Sequence, residues 1–327
     1  MSTDSPQPAE ILRVDGLKKS FPVRRGFLQR TTGHVRAVDG VTLALGRGKT
    51  LGLVGESGCG KSTLARMILK LLPSDEGRIL FDGTDISAFT DAQMKPLRRR
   101  IQIVFQDPYG SLNPRMSVGE ILAEGLRTVG VKERRAAAKE TKRLLALVGL
   151  SARAIDRYPH EFSGGQRQRI GIARALSVGP ALVICDEPVS ALDVSIQAQI
   201  INLLKDLQDQ LDLSYLFITH DLNVVGYLCH RVAVMYRGSL VEEAPAETLF
   251  ERPLHPYTHA LMAAVPDIDV PKGLQAAARE LPEEPAAPPA GCRFRPRCPE
   301  ADEGCERFDG EWVRAGEDHR VRCWRAK

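Results

Sequence analysis

Residues 55–62 read Gly55-Glu56-Ser57-Gly58-Cys59-Gly60-Lys61-Ser62 and fit the pattern G-x-x-x-x-G-K-S/T. Glycines at this spacing let backbone N–H groups turn toward an anion, and a helix that starts at Lys61 adds the positive end of its dipole. The flanks suit the pattern. Thr50-Leu51-Gly52-Leu53-Val54 reads as a buried strand, and Thr63 to Leu72, apolar at Leu64, Ile68, Leu71 and Leu72, reads as a helix. On that pattern Lys61 reaches the β- and γ-phosphates of a nucleotide and Ser62 ligates Mg²⁺. A chance glycine-rich turn does not require a strand before it and a helix after it.

Composition leaves the partner classes open but trims them. The chain has 327 residues, 43% hydrophobic and 26% charged, with a net charge of +4. That suits one large globular domain plus an appendage, and the charge is too mild to argue for nucleic acid. The longest apolar stretch, Ile170 to Cys185, is interrupted by Arg174 and is too short to span a bilayer. Met1 to Glu10 is polar and carries no apolar h-region, so the expectation is a cytoplasmic chain.

Upstream of the loop, Ile11 to Val14 and Val41 to Leu45 read as edge strands, with basic Phe21 to Ala37 between them as a hairpin or loop. Phe21 is either a core phenylalanine or an aromatic that stacks on a purine ring. Downstream, Arg78 to Phe81 and Ile101 to Phe105 read as strands, the second ending at Gln106. A glutamine there can point at a metal or a water, or serve only its loop. From Val118 to Leu150 the strands stop. Ala137, Thr141, Leu144, Leu145 and Val148 recur at helical spacing, so this is a helical insertion with Lys132 to Arg135 facing solvent. Phe162-Ser163-Gly164-Gly165-Gln166 then opens another helix. Ser163 can cap it, and the glycines bare amides that suit a phosphate or simply make a cap.

Ala181 to Cys185 is the apolar run expected of a central parallel strand, and it ends in Asp186-Glu187. Acids at the tip of a buried strand hold Mg²⁺ and polarise a water; adjacent acids elsewhere are usually surface pairs. Ser190-Ala191-Leu192-Asp193 makes a tight loop and cap before a long helix, Ile196 to Leu211. Tyr215 to Thr219 is the next strand and ends at His220. Val232 to Tyr236 and Ser239 to Glu243 form a hairpin around Arg237-Gly238. Ala246 to Val265 holds two short helices split at Leu254-His255-Pro256-Tyr257, and Pro266 to Ala290 reads as a proline-rich strap.

The ordered set of phosphate loop, Gln106, Ser163 to Gln166, Asp186-Glu187, Ser190 to Asp193 and His220 resembles the nucleotide-binding subunits of ABC transporters. Leu254-His255-Pro256-Tyr257-Thr258 and the cysteines of the tail narrow the likeness to the ATPase subunits of dipeptide and oligopeptide importers. The resemblance covers nearly all of residues 11–327. It implies an α/β fold: a P-loop ABC ATPase core with a helical signature subdomain, an antiparallel N-terminal β subdomain and a small cysteine-rich C-terminal extension. The implied divisions are a nucleotide-binding domain at 11–250 with its helical part at about 107–178, a strap at 251–290 and a four-cysteine tail at 291–327.

The resemblance also implies roles. Gly55, Glu56, Ser57, Gly58, Cys59, Gly60, Lys61, Ser62 and the adjoining Thr63 hold ATP, with Ser62, Gln106 and Asp186 around Mg²⁺. Glu187 is the general base, and His220 contacts the γ-phosphate. Ser163, Gly164, Gly165 and Gln166 belong to a signature that covers ATP held by a facing subunit, and Asp193 helps join the two. The usual signature begins with leucine; Phe162 stands there instead. Cys59 is expected to carry a thiol of lowered pKa because it lies near a helix N-terminus. The implied partners are a second, distinct ATPase subunit, two integral-membrane permeases and an extracytoplasmic substrate-binding protein, with the chain on the cytoplasmic face of the membrane.

Four of the seven cysteines crowd into the tail as Cys292-x5-Cys298-x6-Cys305-x17-Cys323. Crowded thiols in a reducing compartment suggest a metal site before disulfides. Four thiolates suit a 4Fe–4S cluster or Zn²⁺, and the gaps are wider than the usual zinc pairs. Some members of the family it resembles carry such a cluster, so the resemblance points to 4Fe–4S, with zinc or no metal as the alternative. Two rival functions remain: the same machinery importing nickel or another small solute, and a soluble ABC ATPase acting on nucleic acid. The short interval between Lys61 and Ser163, and the single ATPase module, argue against the second.

Overall fold

The computed structural model describes residues 10–25, 30–264 and 291–326. In chain order its first half comprises β1 (Glu10–Arg25), β2 (Arg30–Gly46), β3 (Thr50–Val54), α1 (Lys61–Ile68), β4 (Glu76–Phe81), β5 (Thr84–Asp85), α2 (Asp91–Leu97), β6 (Ile101–Val104), α3 (Pro108–Ser111), α4 (Val118–Thr128) and α5 (Arg134–Leu147). Then follow α6 (Gly164–Leu176), β7 (Leu182–Asp186), α7 (Val194–Leu211), β8 (Ser214–Thr219), α8 (Leu222–Leu228), β9 (Arg231–Tyr236), β10 (Ser239–Pro245), α9 (Ala246–Glu251), α10 (Pro256–Ala263), α11 (Gly304–Arg307), β11 (Val313–Arg314) and β12 (Arg320–Val321).

The larger sheet runs β11-β12-β10-β9-β3-β8-β7-β6, and its stretch from β9 to β6 is parallel. Side chains alternate between its two faces. Leu182 and Ile184 join one core cluster, while Val183 and Cys185 join the other; Leu216 and Ile218 alternate likewise with Tyr215 and Phe217. A strand covered on both faces reads as continuously apolar, which is why these runs stand out in the sequence. The register places Val54 opposite Thr219, Asp186 opposite Ile218 and Val104 opposite Cys185. Four strands therefore finish together, and ligands of such sheets sit beyond that edge.

The second sheet, β2-β1-β4-β5, is antiparallel. Its hairpin is longer than the expected short strands: Phe21 pairs with Val35 and the ladder continues to Arg25 and Arg30. The segment expected as a hairpin or loop is a hairpin, and its exposed Phe21, Pro22 and His34 to Arg36 leave no apolar alternation to mark its strands. Helix α1 also ends sooner than expected. Lys70 adopts a left-handed φ of 55° and Leu71 is 57% exposed, so the apolar stripe stops at Ile68.

The helical insertion comprises α4 and α5. Ser117 and Glu120 form a capping box on α4, and Thr141, Leu144 and Leu145 bury the inner face of α5 while Lys132 to Arg135 stay exposed. The tail does not stand apart from the body. β12 pairs with β10 at Val321 and Glu242, and lengthens the large sheet. Glu242 is fully buried; it accepts from the amides of Leu254 (2.7 Å) and His255 (3.0 Å) and lies 2.8 Å from His319 Nε2. Most of the expected strap, 265–290, lies outside the described residues. Among the described residues, no helix is long and apolar enough to cross a membrane.

Candidate active site

β3 delivers the glycine loop, β6 delivers Gln106, β7 delivers Asp186 and Glu187, and β8 delivers His220, all at one sheet edge. Contacts tie them together. The Ser62 hydroxyl is 2.9 Å from Asp186 Oδ1. Gln106 Nε2 donates to Glu187 Oε2 at 3.0 Å, and His220 Nδ1 stands 3.4 Å from Glu187 Oε1. The Glu187 amide donates to the Ile218 carbonyl at 2.9 Å, and Glu187 holds a left-handed φ of 49°. Non-glycine residues in that region are uncommon and store strain, typically at working sites.

The loop closes on its own lysine. Lys61 Nζ, buried, donates to the carbonyls of Gly55 (2.7 Å) and Glu56 (2.9 Å) and lies 3.7 Å from Cys59 Sγ. Gly60 has a φ of 112°, and a Cβ there would lie 2.0 Å from the Ala37 carbonyl oxygen, so only glycine fits. The loop's start is held from far away. Tyr257 OH accepts the Glu56 amide at 2.9 Å, and Arg297 grips the Glu56 carboxylate with two bonds of 2.9 and 3.0 Å.

The chemistry of the donor set fits Mg²⁺: a hydroxyl, a carboxylate and an amide oxygen are hard ligands. Burial holds the Asp186 carboxyl above the ordinary carboxylate range; the Ser62 hydroxyl pulls it back and the charge of Glu187 pushes it up again. A cation beside it would offset the charge that burial disfavours.

Cys59 corrects an expectation. Burial pushes its thiol up, and the neighbouring Lys61 charge only partly opposes this. Desolvation outweighs the Lys61 charge and hydrogen bonds here because Cys59 is only 7% exposed. Phe21 lies on the exposed outer part of β1, 38% accessible, with Lys19 Nζ 5.9 Å from its ring centre, so it is not a core residue.

The signature is built as its spacing predicts. Ser163 caps α6, its hydroxyl accepting from the Gln166 amide, while Gln166 Oε1 accepts from the Ser163 amide. Gly165 lies against Ile196, where a Cβ would come within 2.4 Å of Cγ2. Asp193 stands at the N-cap of α7 but its side chain makes no cap hydrogen bond, and it is exposed. Among the described residues, no hydrogen bond links Ser163, Gln166 or Asp193 to residues 55–62.

The tail cysteines converge. Cys292, Cys298, Cys305 and Cys323 line one cavity with His255, Phe294 and Trp324. Burial raises the thiols of Cys292, Cys298 and Cys323, that of Cys298 to about 12, and neighbouring thiols add to it. Among the described residues, no group of three or more His, Cys, Asp or Glu side chains is arranged to hold a metal ion.

Residues 38–190 match the family model described as ABC transporter, and residues 241–305 match that of the oligopeptide/dipeptide transporter C-terminal region. The chain is 50% identical over 319 residues to the oligopeptide transport ATP-binding protein AppF of Bacillus subtilis strain 168, covering 96% of each chain. It belongs to the ATP-binding subunits of ABC transporters. Another such subunit, the oligopeptide transport ATP-binding protein OppF of Salmonella typhimurium strain LT2, is 50% identical over 302 residues, 90% of each chain. Among solved structures, the dimeric ABC transporter cassette MJ0796 superposes with a TM-score of 0.64 at 27% identity, over 72% of this chain and 98% of that one. A post-hydrolysis dimer of the same cassette, bound to ADP and Pi, matches equally. Two contacts of this ABC subunit have no signal in the sequence: those of Tyr257 and Arg297 on Glu56. Tyr257 stands out as part of a family marker, but no local spacing relates it to a loop 201 residues away.

Proposed function

We propose that this chain hydrolyses ATP to energise a membrane importer of dipeptides or oligopeptides. The observation that carries the proposal is the single sheet edge where Lys61, Ser62, Gln106, Asp186, Glu187 and His220 meet. The naming of AppF and OppF as oligopeptide transport proteins supports the substrate class.

In this reading Lys61 leaves its loop carbonyls for the β- and γ-phosphates. Ser62, Asp186 and Gln106 would hold Mg²⁺, which would supply neutralisation of charge on the phosphates. Glu187 takes the proton of the attacking water as its oxygen bonds to the γ-phosphorus and the bond to the β-bridging oxygen breaks, releasing ADP. Gln106 orients the carboxylate from one side, and His220 sits on the other, facing the γ-phosphate. Phe21 stacks on the adenine. Ser163, Gly164, Gly165 and Gln166 cover ATP on a facing ATPase subunit, and Asp193 lies at that junction. The absence of hydrogen bonds between the described signature and loop residues accords with this reading. The partner ATPase is a similar but distinct subunit; two permeases and an extracytoplasmic binding protein complete the importer, with this chain peripheral on the cytoplasmic face. The working units are residues 11–250, 251–290 and 291–327.

The tail is assigned a structural 4Fe–4S cluster on Cys292, Cys298, Cys305 and Cys323. Four thiols that line one cavity support the assignment, since four thiolates suit such a cluster. Anaerobically purified chain should carry iron and absorb broadly in the visible, and iron-free, colourless protein would contradict the assignment. The catalytic reading is tested by Glu187→Gln. The variant should bind ATP and lose at least about a hundredfold in turnover, the scale of a lost general base. Turnover within about tenfold of wild type would remove Glu187 from that role.

A further inference from the structure

We infer that Arg297 and Tyr257 are positioning residues for the phosphate loop, and that through them the seating of the C-terminal tail sets the affinity for ATP. The inference rests on the reading of residues 55–62 as the ATP loop. Glu56 is the second residue of that loop and is held at three points. Its carbonyl accepts from Lys61 Nζ at 2.9 Å, its amide donates to Tyr257 OH at 2.9 Å, and its carboxylate takes both prongs of Arg297. Lys61 must release its hold when it turns to the phosphates. Tyr257 and Arg297 then keep the loop's entry in place.

Charge gives Arg297 a second task. Glu56 sets a carboxylate in a loop that must accept a polyanion, and like charges at close range disfavour binding. The guanidinium, largely covered at 11% side-chain exposure, matches the carboxylate in the two-pronged geometry that only arginine makes. Removing Arg297 would leave the carboxylate uncompensated and the loop entry loose.

Both residues belong to the C-terminal region. Tyr257 is fully buried, its ring 4.6 Å from Tyr236 and 5.5 Å from Phe294, and Phe294 meets Tyr236 edge-on at 5.3 Å. Phe294 lies between Cys292 and Cys298 in the chain and lines the same cavity as all four tail cysteines, and Arg297 is the neighbour of Cys298. A tail that is unseated cannot offer Arg297 at its present position. Coupling between two sites is reciprocal, so ATP in the loop must in turn favour the seated tail.

The test titrates the full-length chain with a fluorescent non-hydrolysable ATP analogue, with hydrogen exchange of the tail amides followed alongside. Arg297→Met should raise Kd about tenfold, and adding Glu56→Gln should bring it back to within about threefold of wild type, because the uncompensated charge is then gone. Arg297→Lys, a milder change, should fall between wild type and Arg297→Met. The analogue should slow exchange in residues 292–323 of the wild type and not of Arg297→Met. A purely structural arginine would lower the melting temperature in both variants and leave Kd unmoved. Unchanged Kd in Arg297→Met and Arg297→Lys, or a double variant weaker than Arg297→Met, would overturn the inference while leaving the ATP loop intact. Wild type that fails to bind the analogue would overturn both.

Discussion

Cys59 sits immediately before the Gly60-Lys61 pair of the loop pattern, with its sulfur 3.7 Å from a lysine ammonium, yet its thiol is raised rather than lowered. Two effects compete there, and loss of water around a nearly covered sulfur outweighs the nearby positive charge. The thiolate is the reactive form, so its fraction near neutral pH falls below that of a free cysteine. Iodoacetamide at about pH 7.5 should therefore label the Cys59 peptide more slowly than a free thiol reagent standard, as read by peptide mass spectrometry. Fast labelling that ATP prevents would restore the lowered-pKa expectation. Glu187 makes the opposite case, a residue whose surroundings agree with its sequence signal. It follows a buried strand, and contacts from Gln106 and His220 close on its two oxygens.

At the scale of elements, α10 depends on a histidine in one protonation state. His255 caps the helix by accepting the Tyr257 amide on Nδ1 at 3.0 Å, which needs that nitrogen free of a proton. Burial lowers its pKa to about 4, although the Glu242 charge opposes the shift. The folded value lies below the ordinary 6.5, so the unfolded chain takes up the proton first as pH falls. Stability is complete above about pH 6.5 and drains away toward about pH 4, by about 3 kcal/mol from this group. Urea midpoints measured across that range should fall with acid, and His255→Asn, which keeps a cap acceptor without the titration, should flatten the slope; an equal slope in both proteins would contradict the assignment. Elements of this kind are legible in unequal measure. β3, β7 and β8 are plain because a strand covered on both faces leaves an unbroken apolar run, and the Ser163 cap is plain because its partner lies three residues on. The outer arms of β1 and β2 are not, since exposed pairs such as Phe21 and Val35 carry no burial pattern. The grip of Arg297 on Glu56 spans 241 residues, and nothing local to either residue encodes it.

The whole molecule puts a nucleotide edge at one end of a parallel sheet and sews a C-terminal region onto the other strands of the same sheet through β10 and β12. In the proposed reading that arrangement gives one chain the loop, the metal ligands and the base, and has the signature serve a neighbour. ATP bound between two such chains would hold them together, and its hydrolysis would release them, a two-state element biased by its ligand. In the proposed reading the solute passes through the permeases, so the substrate class has to be read at the membrane. The most direct measurement is uptake of labelled di-, tri- and pentapeptides by cells lacking the chain and supplied with wild type or Glu187→Gln. Wild type should restore uptake and Glu187→Gln should not, with the length preference naming the peptide class. Peptide uptake that proceeds without the chain, or that Glu187→Gln restores in full, would contradict the account.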